Sequence, residues 1–251
     1  MQYTDIIEDI KQCDALLIGI GSEFSNFKEK DIEDNDIYQQ NKDLYEDDTW
    51  LRACVRYSMN KDKQKLIDTY NKLLKIVENK NYFIISSNMD GILNESDLNP
   101  TRMVSVCGNI NVLQCGCKDK FTKADELYKA SLETNDFKTL ICPDCNEGYE
   151  PNIYKAKKYN ENSYIKKWNL YNKWLQGTLN KKLLILELGT NYNIPTIMRW
   201  PFEKITFINA NAVMYRVSQK HAQIPVEVQS KAHSIFKNSI EFIEELIDLI
   251  K

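Results

Sequence analysis

The sequence predicts an α/β protein in which a Rossmann-like parallel sheet carries helices on both faces and a small zinc-binding domain is inserted. Short apolar runs alternate with amphipathic segments, and most of these runs end in Gly, Ser, Thr, Asn or Asp. Buried parallel strands are continuous apolar runs, and α/β proteins bind ligands at the carboxyl ends of such strands. The stretch from Asn81 to Cys117 combines two polar strand ends with a pair of cysteines, so we expect the functional site there.

Composition narrows the classes of function. The chain has 251 residues, a net charge of −3 and 43% hydrophobic residues, which is ordinary for a globular protein. This charge does not suggest a nucleic-acid partner, and no apolar run reaches the ~20 residues that a membrane helix needs. The acidic N-terminus lacks a secretory apolar core, so a cytoplasmic protein is expected. An odd count of seven cysteines favours metal binding and reduced thiols over disulfides.

The first predicted strand leads into a glycine-rich turn. Residues 4–12 are predicted to form a helix, and Ala15 to Ile18 form a buried strand that ends in Gly19-Ile20-Gly21-Ser22. Two glycines and a serine just after a strand let backbone amides approach a phosphate. The third glycine of the dinucleotide fingerprint is replaced by Phe24, so a plain tight turn is the alternative.

Two segments of different character follow. Residues 24–60 are polar, charged and aromatic, which makes them a candidate helical or lid insertion over a ligand. A simple solvated insertion has the same composition. Residues 62–79 carry apolar side chains at helical spacing and predict an amphipathic helix that packs on the sheet.

The central stretch contains three further apolar runs. Tyr82 to Ile85 and Met103 to Val106 are predicted strands with polar residues directly after them, and Ile110 to Leu113 leads into the first cysteines. Asn88 and Asp90 follow the first of these runs. They are placed to bind a ligand at a strand end, or to form an ordinary turn, in which Asn and Asp are common.

Four cysteines form the sharpest pattern in the chain. Cys115 and Cys117 are followed, after 24 residues, by Cys142 and Cys145. Four thiolates at this spacing suit a tetrahedral structural zinc ion, and free core cysteines are the alternative. Residues 115–145 would then be a small zinc-ribbon-like module that depends on the metal for much of its folding energy.

The C-terminal half repeats the alternation of helix and strand. Residues 163–179 and 234–250 are predicted helices, and Asn238 is placed to cap the second. Leu183 to Leu188 and Ile205 to Ile208 are predicted buried strands. These two strands end in Gly189-Thr190-Asn191 and Asn209-Ala210-Asn211, respectively.

Together these motifs resemble the sirtuin family. Gly19-Ile20-Gly21-Ser22 is similar to its GAGxS loop, and Ser86 to Asp90 is similar to its TQNID motif. The four cysteines follow this second motif. Gly189-Thr190-Asn191, further along the chain, is similar to GTS, and Asn209-Ala210-Asn211 is similar to the INxN/E element. The motifs occur in the family's order over roughly residues 10–245, and their combination is more specific than any one of them.

The resemblance implies a fold, a reaction and a set of site residues. It implies an NAD-binding Rossmann-like domain of residues 1–114 and 146–251, a zinc module at 115–145, and cleavage of the nicotinamide–ribose bond. It assigns catalysis to Asn88, which would position the ribose or a water, and to Asp90, which would hold the nicotinamide amide and favour the cationic species. The implied cofactor contacts are Gly19, Ile20, Gly21, Ser22, Ser87, Asn88, Asp90, Gly189, Thr190, Asn191, Asn209 and Asn211.

Within the family the chain is most similar to the macrodomain-associated class M branch. The similarity lies in residues 108–115, in Leu186-Glu187-Leu188-Gly189 and in Trp200-Pro201-Phe202. That branch is implied to ADP-ribosylate proteins rather than deacylate them. The expected partners are therefore NAD, a protein acceptor and a macrodomain-type ADP-ribose hydrolase.

One position departs from the deacylating sirtuins, which carry His-Gly where this chain has Cys107-Gly108. In the deacylation that the family implies, this His deprotonates a ribose hydroxyl. A thiol has a pKa near ~8.5 and is mostly protonated at neutral pH. Cys107 is thus a candidate catalytic residue with three interpretations: a poor base, a nucleophile, or an inert small apolar side chain.

Two classes of function follow from the sequence. The first is an NAD-consuming transferase. Its favoured reaction is ADP-ribosylation of a protein, followed by NAD-dependent lysine deacylation at a degenerate site and then by NAD hydrolysis. The second is a non-catalytic module that binds NAD or ADP-ribose. Asn88 and Asp90 favour catalysis, whereas the absence of the His favours a changed reaction or none.

Overall fold

A six-stranded parallel sheet forms the centre of the protein. This computed structural model describes residues 3–25, 29–60, 63–117 and 120–250. The strands pair in parallel throughout, and their order corresponds to the 3-2-1-4-5-6 order of doubly wound dinucleotide-binding sheets. The predicted fold class is therefore confirmed. In spatial order the strands are β3 (Met103–Ser105), β2 (Tyr82–Ser86), β1 (Ala15–Ile20), β7 (Leu183–Leu188), β8 (Ala212–Val217) and β9 (Ala232–Ile235).

Helices cover both faces of this sheet. Side chains alternate along β1, so that Leu16 and Ile18 join the apolar core on one face and Ala15 and Leu17 join the core on the other. As to membranes, no helix in the described ranges is long and apolar enough to cross one. The two faces of the sheet are covered by different sets of helices. The first face is covered by α1 (Tyr3–Gln12), α5 (Gln64–Lys72), α6 (Leu74–Val77) and α10 (Ser239–Leu249), and the second by α8 (Ile165–Gln176) and α9 (Arg199–Ile208).

Two predicted helices begin or divide differently from the sequence-based expectation. The helix predicted at 62–79 is divided at Leu73 into α5 and α6, and residue 62 lies outside the described residues. The helix predicted from residue 234 begins at Ser239, because Ser234 and Ile235 belong to strand β9. Asn238 caps it as predicted, since its side-chain oxygen accepts hydrogen bonds from the backbone amides of the first turn.

A smaller antiparallel sheet and several helices form a second packing unit. The apolar run at 110–113 forms a strand, but this strand belongs to the small sheet rather than to the parallel one. A third apolar core joins the helices of the 24–60 segment to this sheet, with Trp50 against Tyr128 at 5.1 Å between ring centroids. The elements are α2 (Glu29–Glu33), α3 (Asp36–Asn41), α4 (Thr49–Met59), β4 (Gly108–Gln114), β5 (Phe121–Lys123), α7 (Asp125–Thr134) and β6 (Glu150–Ile153).

The strand predicted at residues 205–208 is wrong. These residues are the last turn of α9, and the strand lies further on, at β8. The β-branched and aromatic run suggested a strand, but Phe207 and Ile208 are both exposed at the end of the helix. The hydroxyl of Thr206 donates to the carbonyl of Phe202 at 2.8 Å, one helical turn back, which satisfies this polar group inside the helix.

Candidate active site and zinc centre

A cavity of about 540 Å³ opens at the carboxyl edge of the parallel sheet. Its walls come from the segments that follow β1, β2, β7, β8 and β9, and the segment after β6 of the small sheet adds Tyr154 and Lys155. The order of the strands reverses between β1 and β7, and dinucleotides bind at this reversal in doubly wound folds. Representative wall residues from the five segments are Ser22, Asn88, Thr190, Gln219 and Asn238.

The glycine-rich turn after β1 contributes Ser22 to this cavity, whereas its glycines serve internal packing. A Cβ added to Gly21 would lie 2.5 Å from the Gly189 carbonyl oxygen, so this glycine lets two loops of the protein approach each other. A Cβ on Gly19 would collide with Phe202 of α9. Ile20 is fully buried in the core. The two glycines thus allow close packing, as glycines in such a turn do, but the groups that approach them belong to the protein itself and not to a phosphate.

The segment after β7 brings polar side chains to the same place. Asn191 donates through Nδ2 to the hydroxyl of Ser22 at 2.8 Å, which links the β1 and β7 loops across the strand reversal. Thr190 is buried and donates from its hydroxyl to the carboxylate of Glu187. Gly189 adopts a φ of +66°, in the left-handed region that favours glycine. Ser22, Thr190 and Asn191 therefore line the cavity together, and their contact with a cofactor stays a prediction.

The segment after β2 adds Ser87 and Asn88 to the lining of the same cavity. Asn88 is only 7% exposed, and its side-chain amide donates to the carbonyl of Gly21 at 3.0 Å. Asp90 lies behind this wall with 2% exposure. The carboxylate of Asp90 accepts from the Ile92 amide at 3.1 Å, and its backbone carbonyl accepts from Asn60 at 3.2 Å. Both side chains are thus hydrogen-bonded to the backbone, and of the two only Asn88 lines the cavity.

Cys107 is removed from solvent. The side chain is 0% exposed and packs in the apolar core under β3. This burial raises the pKa of the Cys107 thiol to about 12, because the thiolate would lose its hydration. At neutral pH such a thiol is protonated. Of the three interpretations, the structure favours the inert apolar side chain over the base and the nucleophile.

A buried ionic network lies beneath the Thr190 wall. Arg216 on β8 contacts both oxygens of Glu187 on β7, at 2.9 and 2.8 Å, and all of these atoms are buried. Arg199 lies 3.6 Å from Glu187, donates to the His221 carbonyl at 2.7 Å, and also lines the cavity. Burial lowers the pKa of Arg199, and the neighbouring charge of Arg216 acts in the same direction. A guanidinium therefore stands at the cavity wall in a water-poor environment.

The predicted cofactor residues Asn209 and Asn211 lie at the opposite end of the sheet. Asn209 follows α9 and precedes β8, and its amide donates to the carbonyls of Thr178 and Lys181, at 3.3 Å each. The six residues of β8 separate it from the cavity edge, a distance of ~20 Å at the usual rise of a strand. The incorrect strand at 205–208 is the reason for this error. Gln219, at the true carboxyl end of β8, lines the cavity instead.

The four predicted metal ligands converge. The sulfur atoms of Cys115, Cys117, Cys142 and Cys145 all lie within 4.8 Å of one another. The sulfurs of Cys117 and Cys142 are 3.9 Å apart, and tetrahedral zinc with Zn–S bonds of ~2.3 Å requires separations of about 3.8 Å. A complete set of thiolates leaves no open coordination position, so the geometry fits a structural zinc ion.

Comparison with solved structures identifies the fold. Sir2Tm bound to a propionylated peptide superposes with a TM-score of 0.62 at 16% identity, over 99% of this chain and 98% of that chain. A Sir2 homologue mutant in complex with ADP-ribose gives 0.64 at 11% identity, covering 100% and 96%. The chain has the sirtuin fold. A Sir2 homologue in complex with NAD superposes likewise, with a TM-score of 0.63 at 10% identity over 98% of this chain and 93% of that one.

Sequence comparison adds one distant relative. A protein ADP-ribosyltransferase of Staphylococcus aureus (strain Mu50) is 24% identical over 192 residues, which are 72% of this chain. The match spans 61% of the relative's length. No protein-family profile matches the chain. The likeness to sirtuins therefore rests mainly on the fold and on short sequence motifs.

Three residues at or beside this site, Glu187, Arg199 and Glu23, were missed from the sequence. Glu187 interrupts an otherwise apolar strand, which was the available signal, but its register partner Arg216 lies on β8, which the sequence analysis did not place. Arg199 gave a weaker signal, because the incorrect strand at 205–208 concealed the helix that carries it. Glu23 stands beside the expected phosphate loop and lines the cavity, where an acidic side chain was not expected.

Proposed function

We propose that this protein is an NAD-consuming enzyme that cleaves the nicotinamide–ribose bond and transfers ADP-ribose to a protein acceptor. The observation that carries the transfer reaction is the burial of Cys107, which leaves the position of the deacylase His without a usable base. The sirtuin fold, with its cavity at the reversal of the strand order, supports NAD as the co-substrate. The name of the Staphylococcus aureus relative, a protein ADP-ribosyltransferase, supports the transfer.

Binding of NAD would use the polar wall formed by the β1 and β7 loops. Ser22 and Asn191 offer a hydroxyl and an amide that already meet at 2.8 Å, and they would reorient toward the diphosphate. Arg199 supplies positive charge at the same wall. Its guanidinium is 2% exposed and lies 3.6 Å from Glu187, so the positive charge that it offers a diphosphate is weakly screened by water and is partly offset by that carboxylate.

Cleavage of the glycosidic bond requires positioning and electrostatics rather than a strong base. The bond between ribose C1′ and nicotinamide breaks with its electron pair moving to nicotinamide, and positive charge develops on the ribose. Asn88 would hold the ribose from the β2 wall. The carboxylate of Asp90, 2% exposed behind that wall, would favour the developing cation, because its field is weakly screened. These roles belong to the proposal.

Transfer then places the acceptor's nucleophile on C1′. The acceptor gives up a proton to water, one bond to C1′ forms as the bond to nicotinamide breaks, and no oxidant or reductant is required. Deacylation would need the further deprotonation of a ribose hydroxyl. A protonated thiol cannot perform that step, and general-base catalysis is typically worth ~10²–10⁴-fold.

Two alternatives differ in what they require of the cavity. Lysine deacylation with a degenerate site would require slow turnover of an acetyl-lysine peptide without a base at Cys107. A non-catalytic module would bind NAD or ADP-ribose and release no nicotinamide. Membership of the class M branch and a macrodomain-type partner remain predictions that follow from the sequence resemblance.

The test uses NAD labelled in the adenylate phosphate, the purified protein and a bacterial lysate. We expect label on protein together with released nicotinamide, and loss of both in Asn88→Ala. Free ADP-ribose without labelled protein would indicate hydrolysis. Bound but intact NAD would indicate the silent module. Rapid deacetylation of an acetyl-lysine peptide by the wild type would overturn the assignment of Cys107.

A further inference from the structure

A smaller cavity, of about 200 Å³, lies where the parallel sheet meets the small antiparallel sheet. Among the described residues, none lines both this cavity and the larger one at the carboxyl edge. Boundaries between packing units are frequent places for ligand sites. The lining of the smaller cavity is mostly polar and includes Ser105 of β3, Asn109 of β4, Asn152 of β6 and Lys167 of α8.

Asn152 lines this cavity with a buried acceptor that has no partner. Its side chain is 1% exposed, and its amide nitrogen donates to Oε1 of Gln114 at 2.5 Å and to the carbonyl of Asn160 at 2.9 Å. These two bonds use both N–H groups, so they fix which way the amide is turned. The remaining atom, Oδ1, accepts no hydrogen bond from the part of the chain that the structure describes. A buried acceptor without a donor is destabilising, so this position favours a ligand that donates a hydrogen bond.

Helix α8 brings positive charge to the same cavity. Its N-cap residue, Tyr164, forms no side-chain capping bond, and its first turn contains Lys166 and Lys167 but no acidic residue. Cations at this end add to the positive end of the helix dipole, whereas a bound anion would offset both. Lys167 is partly buried and lines the cavity, and within the described ranges no ion pair includes it. Burial lowers the pKa of Lys167, with no neighbouring carboxylate to oppose the shift.

An anion that suits both features must carry its own hydrogen-bond donor. A fully deprotonated anion such as sulfate would place only acceptors against Oδ1 of Asn152. Hydrogen phosphate offers negative charge to Lys167 and to the first amides of α8, which have no partner inside the helix. It also keeps an O–H group at neutral pH that can donate to Oδ1. Ser105 and Asn109 add a hydroxyl and an amide to the lining, and both side chains can donate to the remaining oxygens.

We propose that this cavity binds hydrogen phosphate, which Lys167 and the N-terminal amides of α8 would hold and which Asn152 would select over sulfate. A bound phosphate would bridge α8 to β6 and so join the two packing units. The proposal is independent of the proposed function, because it involves neither NAD nor the cavity at the carboxyl edge of the sheet.

The test is calorimetric titration of the whole protein at pH 7.5 with sodium phosphate, sodium sulfate and glycerol phosphate. We expect saturable binding of one phosphate per chain. Binding of the other two should be at least ~10-fold weaker, the scale of a lost hydrogen bond to a charged group. Sulfate has no proton, and a phosphate monoester with its second pKa near ~6 has lost most of its own. A parallel titration in saturating ADP-ribose should give the same affinity for phosphate.

Two lysines of one helical turn provide a matched pair of variants. Lys167→Gln removes the charge that lines the cavity and should weaken phosphate binding at least ~10-fold. Lys166→Gln removes an exposed charge that does not line it, and should retain the wild-type affinity. Asn152→Ala should reduce the preference for phosphate over sulfate. If Asn152→Ala does not fold, the comparison of the three ligands on the wild type tests the same point.

Several results would overturn this inference. Equal binding of phosphate and sulfate, or of phosphate and glycerol phosphate, would show that no donor on the ligand is needed. Equal effects of Lys167→Gln and Lys166→Gln would show a general effect of charge. Competition by ADP-ribose would locate the phosphate in the larger cavity. Absence of saturable phosphate binding by the folded wild type would mean that water alone satisfies Asn152. Each of these results leaves NAD consumption untouched, so failure here is distinct from failure of the proposed function.

Discussion

Arg216 contacts both carboxylate oxygens of Glu187, at 2.9 and 2.8 Å, and neither side chain has any exposed surface. The two residues are register partners on neighbouring central strands. The same carboxylate also accepts from Thr190 and lies 3.6 Å from Arg199, both of which line the cavity. One buried acid therefore connects the core of the sheet to the wall of the proposed NAD site.

We predict that Glu187→Gln destabilises the protein by about 3–5 kcal/mol, because it leaves two buried arginines with only the partly exposed Glu203 carboxylate as an ionic partner. Arg216 and Arg199 would then repel each other without the carboxylate between them. Urea unfolding followed by circular dichroism measures this change as a lower midpoint. The control is Glu244→Gln, which breaks an exposed ion pair with Lys72 at 2.9 Å and should cost at most ~1 kcal/mol. Equal effects of the two substitutions would contradict the structural importance of the buried network.

We predict one zinc ion per chain at the four-cysteine cluster. Metal analysis of the purified protein should give near-stoichiometric zinc, and Cys142→Ser should lose it. Because β4 contributes Leu113 to the third core and leads directly into Cys115, zinc loss should loosen that core, expose Trp50 and change its fluorescence. Cys13→Ser is the matched control, because Cys13 is a free, partly buried cysteine outside the four-cysteine cluster. A folded, metal-free wild type would refute the prediction.

We predict that NAD and ADP-ribose raise the melting temperature. A ligand that binds only the native state stabilises it by RT ln(1 + [L]/Kd), which is ~2.7 kcal/mol at a hundredfold excess over Kd. Ser22→Ala and Asn191→Ala should each reduce the shift, because they remove the pair that meets across the strand reversal. Asn209→Ala should leave the shift unchanged, since Asn209 lies at the far end of the sheet. A reduced shift in Asn209→Ala would mean that the cavity is not the nucleotide site.

Local sequence signals predicted the sheet and the zinc cluster, but they did not predict contacts that depend on tertiary packing. The apolar runs of β1, β2 and β7 are continuous, and the cysteine spacing is distinctive, so both were readable. The run at 205–208 has strand-like composition, yet helix α9 incorporates it because it continues the turn begun at Arg199. That error moved the predicted adenosine contacts to Asn209 and Asn211. The position of Glu23 depends on Ser218 and Ser239, which are 195 and 216 residues away, and no local pattern contains this information.

We predict that nicotinamide release depends on Asn88 and Asp90 and not on Cys107. Asn88→Ala and Asp90→Ala should each lower the release rate by at least ~100-fold, the scale of one lost electrostatic or positioning contact. Cys107→Ala should retain most of the activity, and iodoacetamide should not modify the native thiol at pH 8. Folding raises the pKa of this thiol from 9.0 to about 12, so its contribution to stability is present below pH 9 and declines as the pH rises toward 12. Loss of release in Cys107→Ala, with the fold intact, would show that the thiol is catalytic.

Cys107→His tests the division between transfer and deacylation most directly. An imidazole titrates near ~6.5 and can accept a proton at neutral pH, whereas the buried thiol cannot. If base loss alone separates this chain from a deacylase, the variant should gain measurable deacetylation of an acetyl-lysine peptide. The same site, however, is 0% exposed and packed in the apolar core, so the larger, polar His must either reach the cavity or destabilise the fold. The assay is therefore paired with a melting curve and with Cys107→Leu, an apolar control of similar bulk. Gain of deacetylation in Cys107→His alone supports base loss as the cause. A folded Cys107→His that binds NAD and does not deacetylate would show that the surrounding pocket, rather than the missing base, prevents deacylation.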